Sequence, residues 1–349
     1  MPHRSKVNIR DVAKASGFSV YTVSSVLNNK GDISQETSNK VREVAQKLNY
    51  NILGSLAAAR NITTRSIGIV LPNSNCFHHA FYSRAISTLT AKASSQNFDC
   101  RFLTEEDLQR KLDPGQSEGL HELGCGSILV FCPRQDYKTY IMQLLNRGII
   151  VALVRRKMPP QPGLLQVVDN DSENMHILLN HVHDSLGKRR IIMVGNKHTP
   201  KSSGARNKTF LDFTSKNLPE SDTLLTTEQD WEDPKKVDGF RTFILNGAPP
   251  HIYCWTDDAA VAVLLRVISL GLSVPQDVTL SGYNDDPAAG YAIPGITTMR
   301  IPVEEMIESA CEFLFENIQS TEFPAASKKN FSHKLIKRAS TGFKEASLS

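Results

Sequence analysis

Asn8-Ile-Arg-Asp-Val-Ala-Lys-Ala-Ser-Gly-Phe-Ser-Val-Tyr-Thr-Val-Ser-Ser-Val-Leu-Asn28 reads as a helix, a tight turn and a second helix. Ile9, Val12 and Ala13 give the first helix one apolar side. Ser16-Gly17 is the break, where glycine accepts the positive φ that a sharp turn needs. Ser19 is suited to cap the second helix. Val23, Val26 and Leu27 point that helix inward. Tyr21 and Ser25, four residues apart, are expected together on its outer side. A short helix that exports polar groups and is braced by a partner has the geometry for probing a DNA major groove.

Helix signals resume with Ile33, a cap at Ser34 and Thr37 in the first turn, then Val41, Val44, Ala45 and Leu48 at helical spacing. The first 65 residues hold ten Lys and Arg against four Asp and Glu, while the rest of the chain holds 30 against 32. The positive charge therefore sits in the segment that would meet phosphates.

The chain has 349 residues, more than one typical domain. Its balance of apolar and charged residues is that of a globular protein. No apolar run is long enough to span a bilayer, and no signal-peptide core follows the N-terminus, so a cytoplasmic protein is expected. Six scattered cysteines form no Cys-x-x-Cys pair. His78-His79 and His181-x-His183 lack further ligands at metal-binding spacing, so no metal and no cofactor is expected.

Residues 51–65 read as a linker, with a turn or two of helix that is too short to be stable alone. From Ser66 onward, apolar runs alternate with helical stretches. Strands are expected at 67–71, 100–103, 127–131, 149–154, 165–168, 190–194, 252–255 and 278–283. Helices are expected at 80–96, 137–147, 172–186, 258–270 and 304–317. This alternation predicts parallel sheets covered on both faces, enough for two doubly wound units. In such sheets a ligand crevice lies beyond the carboxyl ends of the strands. That places Phe77, Phe131, Arg155, Trp255, Thr256, Asp257 and Asn284 in view. Asp257 reads equally as a helix cap. Arg155 reads either as a pocket cation or as part of the surface run Arg155-Arg-Lys157.

The sequence resembles the lactose-repressor (LacI/GalR) family of bacterial transcription regulators from about Val7 to Thr341. Its most specific stretch is Ile9-x-Asp-Val-Ala through Thr22-Val-Ser-x-Val-Leu-Asn28, with Ile33-Ser34-x-Glu-Thr37 and Leu48-x-Tyr50 after it. Supporting matches include Ile67-Gly-Ile-Val-x-Pro72, Val168-Asp-Asn170, Leu186-Gly-Lys-Arg-Arg-Ile191, Ala205-Arg206, Gly271 to Val278, Gly282-Tyr283 and Ile296-Thr-Thr298.

The resemblance implies an all-α helix-turn-helix head (residues 1–50), a hinge (51–65) and a core like periplasmic binding proteins. The core would comprise an N-subdomain (66–168 with 294–325) and a C-subdomain (169–293 with 326–349). It also implies a homodimer on a pseudo-palindromic operator, with a small-molecule effector, a sugar or sugar derivative, in the cleft between the subdomains. Carried over by position, Val20, Tyr21 and Ser25 would read bases. Asn8, Ser19, Thr22, Ser24, Asn28, Ser34 and Thr37 would contact the DNA backbone. Leu53, Leu56, Ala59 and Arg60 would belong to the hinge. Arg206, Trp231 and Thr256 would line the effector pocket, and Asn284 stands where the family usually has aspartate.

Departures from the family pattern sharpen these expectations. Ser25 replaces a frequent arginine or histidine and cannot make a bidentate contact to guanine. Ala59 stands at the usual leucine wedge, leaving Leu56 as the nearest apolar substitute. Asn284 and Arg155 shift the pocket toward cationic donors, which suits an acidic or phosphorylated sugar. Three other functions stay open: an effector-independent DNA-binding regulator, a solute-binding protein and an enzyme. The last is disfavoured by the lack of a phosphate-cradling loop, nucleophile elbow or zinc signature. No heptad pattern follows Thr341, so a dimer rather than a tetramer is expected.

Overall fold

The computed structural model describes residues 9–27, 33–48, 65–112, 125–134, 136–187, 190–195, 204–318, 320 and 323–343. The hinge residues Leu53, Leu56, Ala59 and Arg60, together with Asn8 and Asn28, lie outside these.

Three helices form the head: α1 (Ile9–Ser16), α2 (Val20–Leu27) and α3 (Gln35–Lys47). Gly17 turns the chain at φ +77°. Ser19 Oγ accepts from the amide of Thr22 at 2.9 Å and Ser34 Oγ from that of Thr37 at 3.3 Å, so hydroxyls cap both α2 and α3. Val12, Val23, Val26, Val41 and Ala45 pack into one small core, with Ile9, Phe18, Ile33, Val44 and Leu48 at its margin.

The chain divides into two compact units, Met1–Val168 with Glu304–Lys329, and Asp169–Val303 with Asn330–Ser349. The second passage thus falls after Val303, not near Ile293. Residues 298–300 pair antiparallel with 334–336, which holds them in the second unit.

The first unit is built on a sheet of order β11-β5-β4-β3-β1-β2, where β1 is Ser66–Leu71, β2 Asp99–Thr104, β3 Ser127–Phe131, β4 Ile150–Val154, β5 Leu164–Asp169 and β11 Ser327–Phe331. Strands β1 to β5 run parallel. The central strands β1, β3 and β4 are buried along their whole length, as their unbroken apolar runs require. The edge strand β2 is half-exposed and correspondingly polar.

The second unit carries a parallel sheet of order β7-β6-β8-β9, where β6 is Ile191–Gly195, β7 Thr223–Thr227, β8 His251–Cys254 and β9 Thr279–Ser281. Helices 234–245 and 257–269 close one face of it around Ile192, Val194, Ile252, Cys254 and Leu280. Strand order reverses between β1 and β3 in the first sheet and between β6 and β8 in the second. Those switch points are where an open α/β sheet leaves a crevice.

Candidate DNA-reading helix and strand-end sites

On α2, Tyr21 is 82% exposed and Val20 43%. Ser24 is half-buried, and the Thr22 hydroxyl is shared with Ser19 Oγ at 2.9 Å. Ser25 departs from the expected outer position, being only 7% exposed. At about 100° per residue it lies beside Tyr21 and away from Val23, so helical direction alone does not bury it. Its short side chain does not reach past its neighbours, as a long one at that position would. The projecting pair is therefore Val20 and Tyr21.

Beyond β1, β3 and β4, an aromatic group gathers at the first switch point. Phe131 ends β3 fully buried; it stacks on Phe81 at 5.5 Å and meets Tyr82 edge-on at 5.2 Å. Arg155 follows β4 with its guanidinium 5.6 Å from the Phe81 ring centre, half-buried. It belongs to this aromatic group rather than to a surface run. Arg155 and Cys132 both have left-handed backbone, φ 61° and 51°. Such non-glycine residues cluster where surrounding structure enforces an unusual turn. Burial pushes the Tyr82 proton well above its ordinary range and raises that of Cys76. Phe77 departs from the pocket expectation: it is 47% exposed and packs edge-on against Phe102 at 5.8 Å.

Beyond β8 and β9 the chemistry is polar. Arg206, buried near the start of helix 205–217, lies between two rings, 3.8 Å from the Trp255 centre and 4.1 Å from that of Tyr283. Its Nη1 donates to the Trp255 carbonyl at 3.2 Å. Thr256 departs from a simple pocket role, because its hydroxyl caps helix 257–269 by accepting from the amide of Ala259 at 3.2 Å. Asp257 is therefore not the cap but the first helical residue, fully buried. Its Oδ2 accepts from the amide of Asp286 at 2.7 Å, and its Oδ1 has no hydrogen-bond partner. Gly282 is required beside it, since a β-carbon there would stand 2.1 Å from Oδ1. Burial, and after it the charges of Asp286 and Asp285, push the Asp257 carboxyl up to about 7, against hydrogen bonds from Thr298 and the Asp286 amide.

Asp285 accepts from Arg300 Nε and Arg338 Nη2, both at 2.6 Å. Asn284 is half-buried at φ 112°, with Nδ2 3.4 Å from Asp286 Oδ2. Trp231 is a correction: it is buried in the core of the second unit against Phe240, and its Nε1 donates to Thr226 Oγ1 at 3.0 Å. An indole with its only donor already engaged inside a core does not wall a pocket.

Sequence reasoning missed Phe81, Tyr82 and Tyr283 as site residues. The first two open the helix after β1, and Tyr283 follows β9 by two residues. The strand-end rule applied to helix starts as well would have found Phe81 and Tyr82, and Tyr283 closes the strand expected at 278–283. Among the described residues, one grouping has the geometry to hold a metal ion, Asp169 with Asp171 and His333.

Residues 8–51 match the family of bacterial regulatory proteins of the lacI type, and residues 179–341 match the periplasmic binding protein-like domain. The chain belongs to the lacI family. As a member it is a DNA-binding transcription regulator with a periplasmic-binding-protein-like core. It is 25% identical over 329 residues to the transcriptional repressor PurR of Aliivibrio fischeri, covering 90% of this chain and 92% of that protein. The fold is shared with the regulator CelR in complex with cellobiose, at 19% identity and TM-score 0.61, covering 96% of this chain and 99% of that one. It is also shared with the lac repressor dimer bound to operator and an anti-inducer, at 16% identity and TM-score 0.62, covering 97% and 99%. No helix among the described residues is long and apolar enough to cross a membrane.

Proposed function

We propose that the chain is a transcriptional repressor that binds a pseudo-palindromic operator as a homodimer and responds to a small molecule taken up at the strand carboxyl ends of its core. The observation that carries the DNA-reading part is the outward Val20–Tyr21 pair on a capped helix with a packed core behind it. Dimerisation is supported by Leu265 and Ile268, exposed by 63% and 49% and three residues apart on helix 257–269. An apolar stripe left in water on a regular helix is the mark of a covered surface. The effector reading is supported by aromatic faces and guanidinium groups collected at both switch points, the combination that binds a ring carrying hydroxyl or anionic groups.

The test is selection of bound sequences from random DNA, followed by anisotropy titration of the selected site. Tyr21→Ala is expected to weaken binding by about 1–3 kcal/mol and to relax preference at one position of each half-site. Thermal stability should stay unchanged, because the ring is solvent-exposed. Unaltered affinity and preference in Tyr21→Ala would remove Tyr21 from the readout.

A second reading has its own observation. Arg206 is covered on both faces by Trp255 and Tyr283, so part of the second unit's strand-end space is filled by the protein itself. This favours a regulator that works without an effector. Thermal-shift screening with sugars, sugar phosphates and nucleosides separates the two readings, since a ligand that raises the melting temperature supports the first.

A further inference from the structure

In the second unit, Asp169 closes β5, Asp171 opens helix 171–180 and His333 stands between β11 and β12 (Lys334–Ile336). One ligand atom from each lies within 4.8 Å of the other two. His333 is held at both ring nitrogens and at its backbone. Its Nε2 is 2.9 Å from Asp169 Oδ2, its Nδ1 is 2.8 Å from the Tyr283 hydroxyl, and its backbone N–H donates to Asn174 Oδ1 at 3.1 Å. The His333 side chain is fully buried and that of Asp169 is 7% exposed. Asp171 is half-exposed, so the group has an inner wall and an outer opening.

A second observation comes from Asn174, which is 2% exposed. While its Oδ1 holds the His333 backbone, its Nδ2 is buried without a hydrogen-bond partner. A sealed donor of this kind carries a desolvation cost until an acceptor reaches it. The non-ligating oxygen of a metal-bound carboxylate, or a metal-bound hydroxide, is such an acceptor.

We propose that Asp169, Asp171 and His333 bind a divalent first-row transition-metal ion, His333 through Nε2 and each aspartate through one carboxylate oxygen. One imidazole with two carboxylates is a donor set for Mn²⁺, Fe²⁺ or Zn²⁺ rather than for the all-oxygen ions Ca²⁺ and Mg²⁺. In the metal-bound state Nε2 gives its lone pair to the ion and the neutral ring carries its one proton on Nδ1. That proton is donated to the Tyr283 oxygen, the outer-shell bond that orients a ligating histidine. The ion would join Asp169, immediately after the first passage between units, to His333, close after the last. It would also lie one hydrogen bond from Tyr283, whose ring covers Arg206. The site is thus placed to bias the strand-end chemistry of the second unit, although its existence does not depend on any effector.

The probe is Mn²⁺, because thiols compete for it poorly and the chain has six cysteines. Full-length protein stripped by chelator is titrated with Mn²⁺, and the free aqueous ion is followed by electron paramagnetic resonance. One bound ion per chain is expected, with nitrogen coupling from a single imidazole in the pulsed spectrum. Asp171→Asn, which leaves the buried contacts of His333 in place, should weaken binding roughly tenfold or more. It should also reduce the Mn²⁺-dependent rise in melting temperature at a given Mn²⁺ concentration while leaving far-ultraviolet circular dichroism unchanged. No stoichiometric binding at millimolar Mn²⁺, no nitrogen coupling, or equal titration of Asp171→Asn and the unaltered chain would each overturn the proposal.

Discussion

At the carboxyl ends of β3 and β4, Phe81, Tyr82 and Phe131 pack ring against ring, with Arg155 over the Phe81 ring. At the corresponding station of the other sheet, beyond β8 and β9, stand Arg206, held to the Trp255 carbonyl, Asp257, which accepts from the Asp286 amide, and Asp285, ion-paired with Arg300 and Arg338. Both stations arise from the same topology, a reversal of strand order in a parallel sheet. The contrast teaches that the architecture decides where a site forms and the strand-end residues decide its chemistry. The first station is held by area and shape, the second by charge and protonation.

The largest expected effect tests the first station. Phe131→Ala removes a fully buried ring and two ring contacts, and should lower stability by about 3–5 kcal/mol in denaturant unfolding at any pH. Hydrogen exchange should show the lost protection concentrated in residues 127–154. A loss spread evenly over both units would break the comparison.

The second prediction concerns Asp257 and depends on pH. Its folded carboxyl is raised to about 7 from 3.8. The folded state therefore holds a proton that the unfolded state has lost between these values. The contribution is fully present below the unfolded value and is lost as pH rises through the folded one. Asp257→Asn keeps the shape and carries no titration. Relative to the unaltered chain it should gain a few kcal/mol on going from about pH 5 to about pH 8. Parallel stability–pH curves for the two proteins would show that the carboxyl is not raised.

The smallest effect sharpens the contrast inside the second unit. Trp231→Phe keeps most of the packing against Phe240 but deletes the indole donor to Thr226. A loss of about 1 kcal/mol is expected, insensitive to pH, with no change in any ligand response. A changed ligand response would return Trp231 to the pocket wall.

Much of this was legible in the sequence because it rests on local rules. Gly17 and the caps Ser19 and Ser34 announce the head through backbone chemistry. The unbroken apolar runs of β1, β3 and β4 announce buried parallel strands. The edge strand β7, Thr223-Leu-Leu-Thr-Thr227, was not legible, because an edge is half wet and its sequence shows no continuous apolar run. Ser25 misled because helical spacing gives direction but not reach. Trp231 misled because an aromatic after a strand reads alike whether it faces a crevice or a core. The link from Tyr283 through His333 to Asp169 joins residues 50 and 164 positions apart, a span no spacing rule covers.

The caps on α2 and α3 are both serines. An aspartate would have satisfied the same amides and added a favourable interaction with the helix dipole. It would also have cancelled the partial positive charge that a helix start turns toward an approaching phosphate. Neutral hydroxyls end these helices while leaving that attraction intact, so in the proposed DNA complex the head's grip would draw on its peptide backbone as well as its lysines and arginines. Part of its affinity should therefore persist at salt concentrations that screen the side-chain charges.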